Sequence, residues 1–370
     1  MKIGITLDFS IAMWANGLQQ NLVFLYEILE RAGHNCYYIT DKEPVEGLSK
    51  QHKGMYLFDI LQDDTESFDV IILGGFDLLP EMYSQLLSRN KNTKIIAIHY
   101  GNKIYDDMHY SLNTLQNNRV PILPPKNISQ VWTSPHYDFS IPYLKEYYQT
   151  EEVHICPYIW DPFFIQEKLK FLESKGLDPH FREEDVNKIC VFEPNKTTSK
   201  NCIIPVSICS RLETLFPNSL ESLNVYCTEG LRKNEFFKLL VNTFHLVGDK
   251  KHNVFFNNRW GSLDALSKHG SLVLSHQIDN GLNYTYLECL YLGIPLVHNS
   301  PFLENIAYYY PNFDIDMAAK QIKNAMLNHN STLDQYRGDA QQFLHKFSPY
   351  NKENIFRYND LINNARPKTY

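Results

Sequence analysis

The chain has 370 residues, 44% hydrophobic and 21% charged, with a net charge of −7. That length exceeds one ordinary core and fits two domains of roughly 150 residues each, with a globular composition and no apolar run of the ~18 residues a membrane helix needs. The negative balance opposes a broad nucleic-acid surface, so such a partner would have to be met by a local basic patch.

MKIGITLDF runs straight into a strand and lacks a signal-peptide layout. The seven cysteines include no CxxC pair, which predicts a reducing, cytoplasmic location rather than a disulfide framework. The fourteen histidines include no HExxH or paired metal spacing, so neither a metal site nor a bound cofactor is expected.

The first half alternates strand and helix. KIGITLDF is an apolar strand, and Leu22, Leu25, Ile28 and Leu29 recur at helical spacing up to Gly33. CYYIT, VIILGG (70–75), KIIAIHYGN (94–102), QVWTS (130–134) and VHICPYI (153–159) follow as strands, with helical patterns between most of them. After PYIWDPFF a charged stretch, 167–187, reads as a linker plus a helix. The alternation then restarts: KICVFEP, a helix to about Leu215, LNVYC, a helix near 233–244, NVFFN, a helix near 262–268, SLVLSH, a helix near 284–292, and PLVHN. Polar amphipathic helices fill 317–364. The pattern predicts an α/β protein with two Rossmann-like domains facing a cleft. The boundaries are 1–160, 161–345 and a final helix, 346–370, returning to the first domain.

In open α/β sheets, ligands bind beyond the carboxyl ends of the strands, which selects the candidate residues. Asp8 ends the first strand, either as an acceptor-side base or as a loop-capping residue. Gly17 precedes the first helix, where free N–H groups favour an anion. His99 follows KIIAI and can hydrogen-bond a sugar or shuttle a proton. Lys196 and Lys200 lie in FEPNKTTSKN, between a strand and a helix, and suit a diphosphate. HQIDNGLNYTYLE supplies His276, Asn280, Gly281, Asn283, Tyr284 and Glu288. Glu288 has two readings: the fourth position of a Thr285-x-x-Glu capping box, or a carboxylate accepting two ribose hydroxyls.

The stretch 253–300, with DNGLNYTYLECLYLGIPLVHNS at its end, resembles the donor domain of the GT-B glycosyltransferase superfamily. In many retaining members Glu-Gly-Phe-Gly, a Leu-Glu-Ala helix and Gly-x-Pro-Val-Val carry two glutamates with seven residues between them. Glu288 matches the second, which in that family binds ribose; Asn280 stands where the first would be. Gly281, Leu287, Gly293, Pro295 and Val297 match as well, Lys200 resembles the family's diphosphate lysine, and His99 its donor-sugar histidine. FEPN, SHQ and LNYTYLE also look like a bacterial and phage branch, whose phage members glycosylate hydroxymethylcytosine. The resemblance implies a metal-independent transferase with a UDP-sugar as co-substrate, His99 and Asp8 as catalytic candidates, and the remaining residues on the donor. DNA is one candidate acceptor, with Trp14, Tyr100, Tyr105, Tyr110 and Trp132 as stacking rings and Lys91, Lys94, Lys103 and Arg119 as the sparse nearby cations. A polysaccharide or small-molecule acceptor, a nucleotide-sugar epimerase and a non-catalytic sugar-nucleotide binder are the alternatives. The sequence leaves the sugar, the stereochemistry and the oligomeric state open.

Overall fold

A computed structural model of the chain describes residues 1–8, 17–42, 52–113, 127–248 and 253–368. The chain forms two compact units, Met1–Asp161 with Phe347–Tyr370, and Pro162–Lys346.

The first unit runs β1 (Lys2–Leu7), α1 (Gly17–Arg31), β2 (Asn35–Thr40), β3 (Gly54–Tyr56), α2 (Leu57–Gln62), β4 (Val70–Leu73), α3 (Pro80–Arg89), β5 (Lys94–His99), α4 (Lys103–Asn113), β6 (Ile128–Thr133), α5 (Ile141–Tyr148) and β7 (Val153–Ile155). Its seven strands are parallel, in the order β3-β2-β1-β4-β5-β6-β7. β1 and β4 read as continuous apolar runs because both of their faces are buried. Gly33 closes α1 at φ 86°, where a left-handed cap favours glycine.

The second unit runs α6 (Phe163–Glu173), β8 (Lys188–Val191), α7 (Ile203–Leu215), β9 (Ser222–Val225), α8 (Glu235–Asn242), α9 (His245–Gly248), β10 (Asn253–Phe256), α10 (Ser262–His269), β11 (Leu272–Leu274), α11 (Tyr284–Leu292), β12 (Leu296–His298), β13 (Tyr308–Tyr309) and α12 (Ile315–His345). The sheet order is β10-β9-β8-β11-β12-β13, again all parallel. Ile189, Val191, Leu223, Leu272, Leu274 and Val297 pack with Val206, Ile208 and Leu212 of α7 and Ala318, Ile322 and Ala325 of α12 in one core.

The last helix, α13 (Lys352–Asn364), belongs to the first unit. Its Tyr358 hydroxyl donates to the Pro157 carbonyl at 2.7 Å, its ring meets Trp132 edge-on, and Asn359 Oδ1 pairs with His34 at 3.0 Å.

The two sheets share one logic. The order reverses at β1/β4 in the first unit and at β8/β11 in the second. Crevices for ligands open at such reversals, beyond the strands' carboxyl ends.

Candidate functional site

The switch point of the second unit is the most elaborately built region. β8 ends at Val191, and Glu193 follows, 1% exposed. β11 ends at Leu274, followed by Ser275, His276 and Gln277. The Glu193 carboxylate accepts from Ser275 Oγ, from Gln277 Nε2 at 3.0 Å and from the His276 backbone N–H. Burial pushes this carboxyl up to about 7, against the opposing pull of those donors and of the Lys200 charge.

The two loops are stitched together beyond that carboxylate. Ile278 N donates to the Ser199 carbonyl at 2.9 Å, and Lys200 bridges to Gln277. Asn195, at φ 56°, donates through Nδ2 to the carbonyls of Glu193, Tyr226 and Cys227, while its Oδ1 accepts from Cys202 N. The loop carrying the lysines is therefore shaped by its own side chains rather than by glycine. Lys196 is exposed and Lys200 half-buried on it.

The segment 275–283 is held as firmly on its other side. Gln277 N donates to Asn299 Oδ1 at 3.0 Å, and Asn299 Nδ2 returns to the Gln277 carbonyl at 2.9 Å. Ser300 Oγ donates to the Gly281 carbonyl. Gln277 Oε1 collects the Nδ2 groups of Asn280 and of Asn283, the latter at 3.2 Å. His276 is buried, with Nδ1 on the Tyr310 hydroxyl at 3.0 Å and Nε2 without a partner among the described residues. Burial pushes its pKa down to about 4, so the ring is neutral.

Asn283 caps α11, its Oδ1 accepting from Tyr286 N at 3.1 Å, and Tyr284 opens the helix, buried. This corrects the capping-box reading: Thr285 lies inside the helix, and Glu288 does not fold back on the N-terminus. Glu288 Oε2 instead accepts from Ser262 Oγ at 2.7 Å, at the start of α10. Burial raises its pKa, with the Ser262 hydroxyl opposing. Gly293, at φ 70°, ends α11, and its carbonyl accepts from His329 Nε2 at 2.9 Å.

The first unit contributes a second, separate set. Thr6 Oγ1 accepts from the N–H groups of Gly74 and Gly75 at 3.0 and 3.2 Å, drawing β1 and β4 together beside Asp8. A Cβ on Gly75 would lie 2.6 Å from the Thr6 carbonyl oxygen and 2.9 Å from Asp8 N, so the approach requires glycine. The Asp8 carbonyl accepts from Gln19 Nε2, and Gly17 opens α1. His99 ends β5, its Nε2 paired with the Tyr148 hydroxyl at 2.8 Å. Burial, helped by Lys103 and opposed by Asp107, pushes its pKa down to about 4. β4 separates β1 from β5, so Asp8 and His99 stand about two strand spacings, roughly 10 Å, apart and form no dyad.

Two of the five rings expected to stack on bases are poorly placed for it. Trp132 is fully buried with Nε1 on Gln130 Oε1 at 2.9 Å, and the Tyr100 hydroxyl is buried. Tyr110 is 41% exposed, Tyr105 half-buried, and Trp14 and Arg119 lie outside the described residues. Lys94 donates to the Ile362 carbonyl and Lys103 pairs with Asp107, which leaves Lys91 as the exposed one among the described cations of that set.

Sequence reasoning missed Glu193, Ser275, Gln277 and Ser262. Glu193 had one legible signal: a carboxylate directly behind an apolar strand and ahead of a lysine-bearing loop. The other three are ordinary polar residues whose partners lie 26 to 84 positions away. Among the described residues no group of three His, Cys, Asp or Glu side chains could hold a metal ion, and no helix is long and apolar enough to cross a membrane.

Solved structures share this architecture end to end. A TarM variant of S. aureus, in complex with fondaparinux, alpha-GlcNAc-glycerol and UDP, matches at 10% identity and a TM-score of 0.62, covering 98% of this chain and 99% of its own. A glycosyltransferase of Rickettsia africae matches at 13% identity and 0.57, covering 98% and 99%. An alpha-glucosyltransferase in complex with UDP and a 13-mer DNA containing a HMU base matches at 12% and 0.58, covering 98% and 99%. At such identities the likeness establishes the fold: an α/β, two-unit, GT-B-like architecture. No curated protein matches the sequence. Residues 3–362 match the family described as "Protein of unknown function (DUF2827)", and the chain belongs to that family.

Proposed function

We propose that the chain is a glycosyltransferase that moves a sugar from a nucleotide-sugar, a UDP-sugar, to a hydroxyl acceptor without a resident metal or cofactor. The observation that carries the proposal is the β8/β11 switch point, where a lysine-bearing loop is stitched to the loop that leads into the Glu288 helix. The end-to-end likeness to glycosyltransferase folds supports it. Glu288 accepts two ribose hydroxyls, a bidentate role open to a carboxylate whose one hydrogen-bond partner among the described residues is the neutral Ser262. Lys200, with Lys196 beside it, places positive charge on the departing diphosphate. His276, Asn280, Gly281, Asn283 and Tyr284 line the approach of the donor. In the first unit Gly17 offers its helix N-terminus, and neutral His99 hydrogen-bonds rather than charges. Catalysis is then mostly positioning and fixed dipoles. Seven free cysteines, six of them buried, suit a reducing cytoplasm.

For the acceptor, hydroxymethylcytosine in DNA is one reading, favoured by the likeness to the DNA-bound alpha-glucosyltransferase. The buried Trp132, the engaged Lys94 and Lys103 and the net charge of −7 favour the other, a carbohydrate or small-molecule hydroxyl. The test incubates the protein with a panel of UDP-sugars, alone and with DNA containing cytosine or hydroxymethylcytosine, followed by mass spectrometry of donors and nucleosides. Donor hydrolysis supports a transferase, and added sugar mass on hydroxymethylated DNA alone selects the DNA acceptor. C2-inverted sugar would identify an epimerase. Binding without any turnover would overturn the enzymatic reading.

A further inference from the structure

The first unit carries its own polar cluster at the carboxyl ends of β4 and β5. His99 Nε2 meets the Tyr148 hydroxyl at 2.8 Å. Asp107, in the first turns of α4, accepts from Lys103 Nζ and from the Tyr143 hydroxyl. The Lys103 ammonium also lies 4.0 Å from the centre of the Tyr147 ring. Thr133 is paired in register with His99 and therefore points to the same face of the sheet; its buried hydroxyl has no partner among the described residues.

Asp77 borders this network without joining it. It lies in the loop between β4 and α3, behind Gly74 and Gly75, and is exposed. Its charge is felt by the Tyr148 and Tyr83 phenols, and it feels the charge of Lys103. Yet its carboxylate makes no hydrogen bond or ion pair among the described residues. The crevice walls desolvate the carboxyl and raise its pKa, with Lys103 opposing. A carboxylate that served the fold would hold a donor. Asp107 does so, with Lys103 and Tyr143, and Asp77 does not. A carboxylate that is partly desolvated, open to solvent and unpaired is kept for the donors of a ligand.

The local charge selects that ligand. Asp77 and Asp107 set two negative charges against Lys103, and Lys103 is already engaged by Asp107. His99 is neutral, because burial holds its pKa down at about 4. The cluster is therefore net negative. A carboxylate only accepts, so hydroxyl donors satisfy it, whereas a phosphate brings more acceptors and a like charge.

We propose that Asp77 is a specificity-determining residue of an acceptor subsite on the first unit, where its carboxylate accepts from a hydroxyl of a neutral sugar and turns away molecules that bring a phosphate to that point. The inference rests on the glycosyltransferase reading, and of the two acceptor classes it favours the carbohydrate.

The test follows backbone amide NMR signals of the whole chain during titration. Methyl α-glucoside, methyl β-galactoside and methyl N-acetylglucosaminide are the neutral probes, and glucose 6-phosphate is the phosphate-bearing one. At least one neutral probe should shift the amides of 75–78 and 103–107, and glucose 6-phosphate should bind there about tenfold more weakly, a difference of ~1.4 kcal/mol. Asp77→Asn keeps the size, loses the charge and should weaken the neutral probe by a similar factor. Asp77→Lys should reverse the order, with glucose 6-phosphate the tighter ligand. Both substitutions fall on an exposed side chain that holds no hydrogen bond, so the fold tolerates them. An equal response to glucose 6-phosphate in wild type, an unchanged preference in Asp77→Lys, or no shift at 75–78 with any probe would overturn the proposal. UDP, titrated separately, reports on the donor reading through the amides of 195–201. Shifts there with none at 75–78 would refute the subsite alone. Neutral-probe shifts at 75–78 without any response to UDP would uphold the subsite and refute the donor reading.

Discussion

Replacing Glu193 by Gln should change how stability depends on pH. The carboxyl is fully buried, and its pKa lies at about 7 against an ordinary 4.5. Between those two values the folded state holds a proton that the unfolded state releases. Stability contributed by the group is thus complete below about pH 4.5 and is lost as pH rises through 7. At ~1.4 kcal/mol for each tenfold change in proton affinity, the swing is about 3 kcal/mol. Glutamine carries no charge and has no such slope. Its amide carries two N–H donors where the protonated carboxyl carries one O–H and the carboxylate none, at a cost of about 1 kcal/mol. At pH 5 the variant should therefore be slightly less stable than wild type, and at pH 8 more stable by about 2 kcal/mol. Hydrogen exchange of the β8 and β11 amides across pH 5 to 8 reads the second unit by itself, and subtracting the two proteins cancels the other titrating groups. Parallel curves for variant and wild type over that range would refute the reasoning.

Other outcomes follow from the same geometry. Glu288→Ala should weaken UDP binding about tenfold, measured by calorimetry; normal binding with only a stability loss would leave Glu288 as a partner of Ser262 and nothing more. Lys200→Ala should reduce UDP affinity and leave uridine almost unchanged, since a point charge serves the diphosphate, and equal losses would count against it. His99 should titrate in NMR with a midpoint near 4 rather than 6.5, because burial disfavours its charged form. An inflection near 6.5 that vanishes in His99→Gln would contradict its neutral role.

Much of the fold was legible because its signals are local. Apolar runs such as KICV and VIIL announce strands buried on both faces, and helical spacing with a closing glycine fixes α1 and α11 to within a residue or two. β3 and β13, of three and two residues, escaped because so short a run carries no period. The candidate residues after each strand were also legible, since every parallel sheet carries its sites at one edge. Sequence alone could not decide between two uses of Glu288. The structure removes only the capping box: Ser262, 26 residues away in sequence, reaches the carboxylate once α10 and α11 pack. Trp132 looked available for stacking, yet the return of α13 covers it. Glu193 is the sharpest case. Its residue type is an ordinary surface one, and only the assembly of β8 beside β11 removes its water and supplies its donors. Periodicity and residue type are properties of the chain, whereas desolvation and hydrogen-bond direction exist only after distant segments meet.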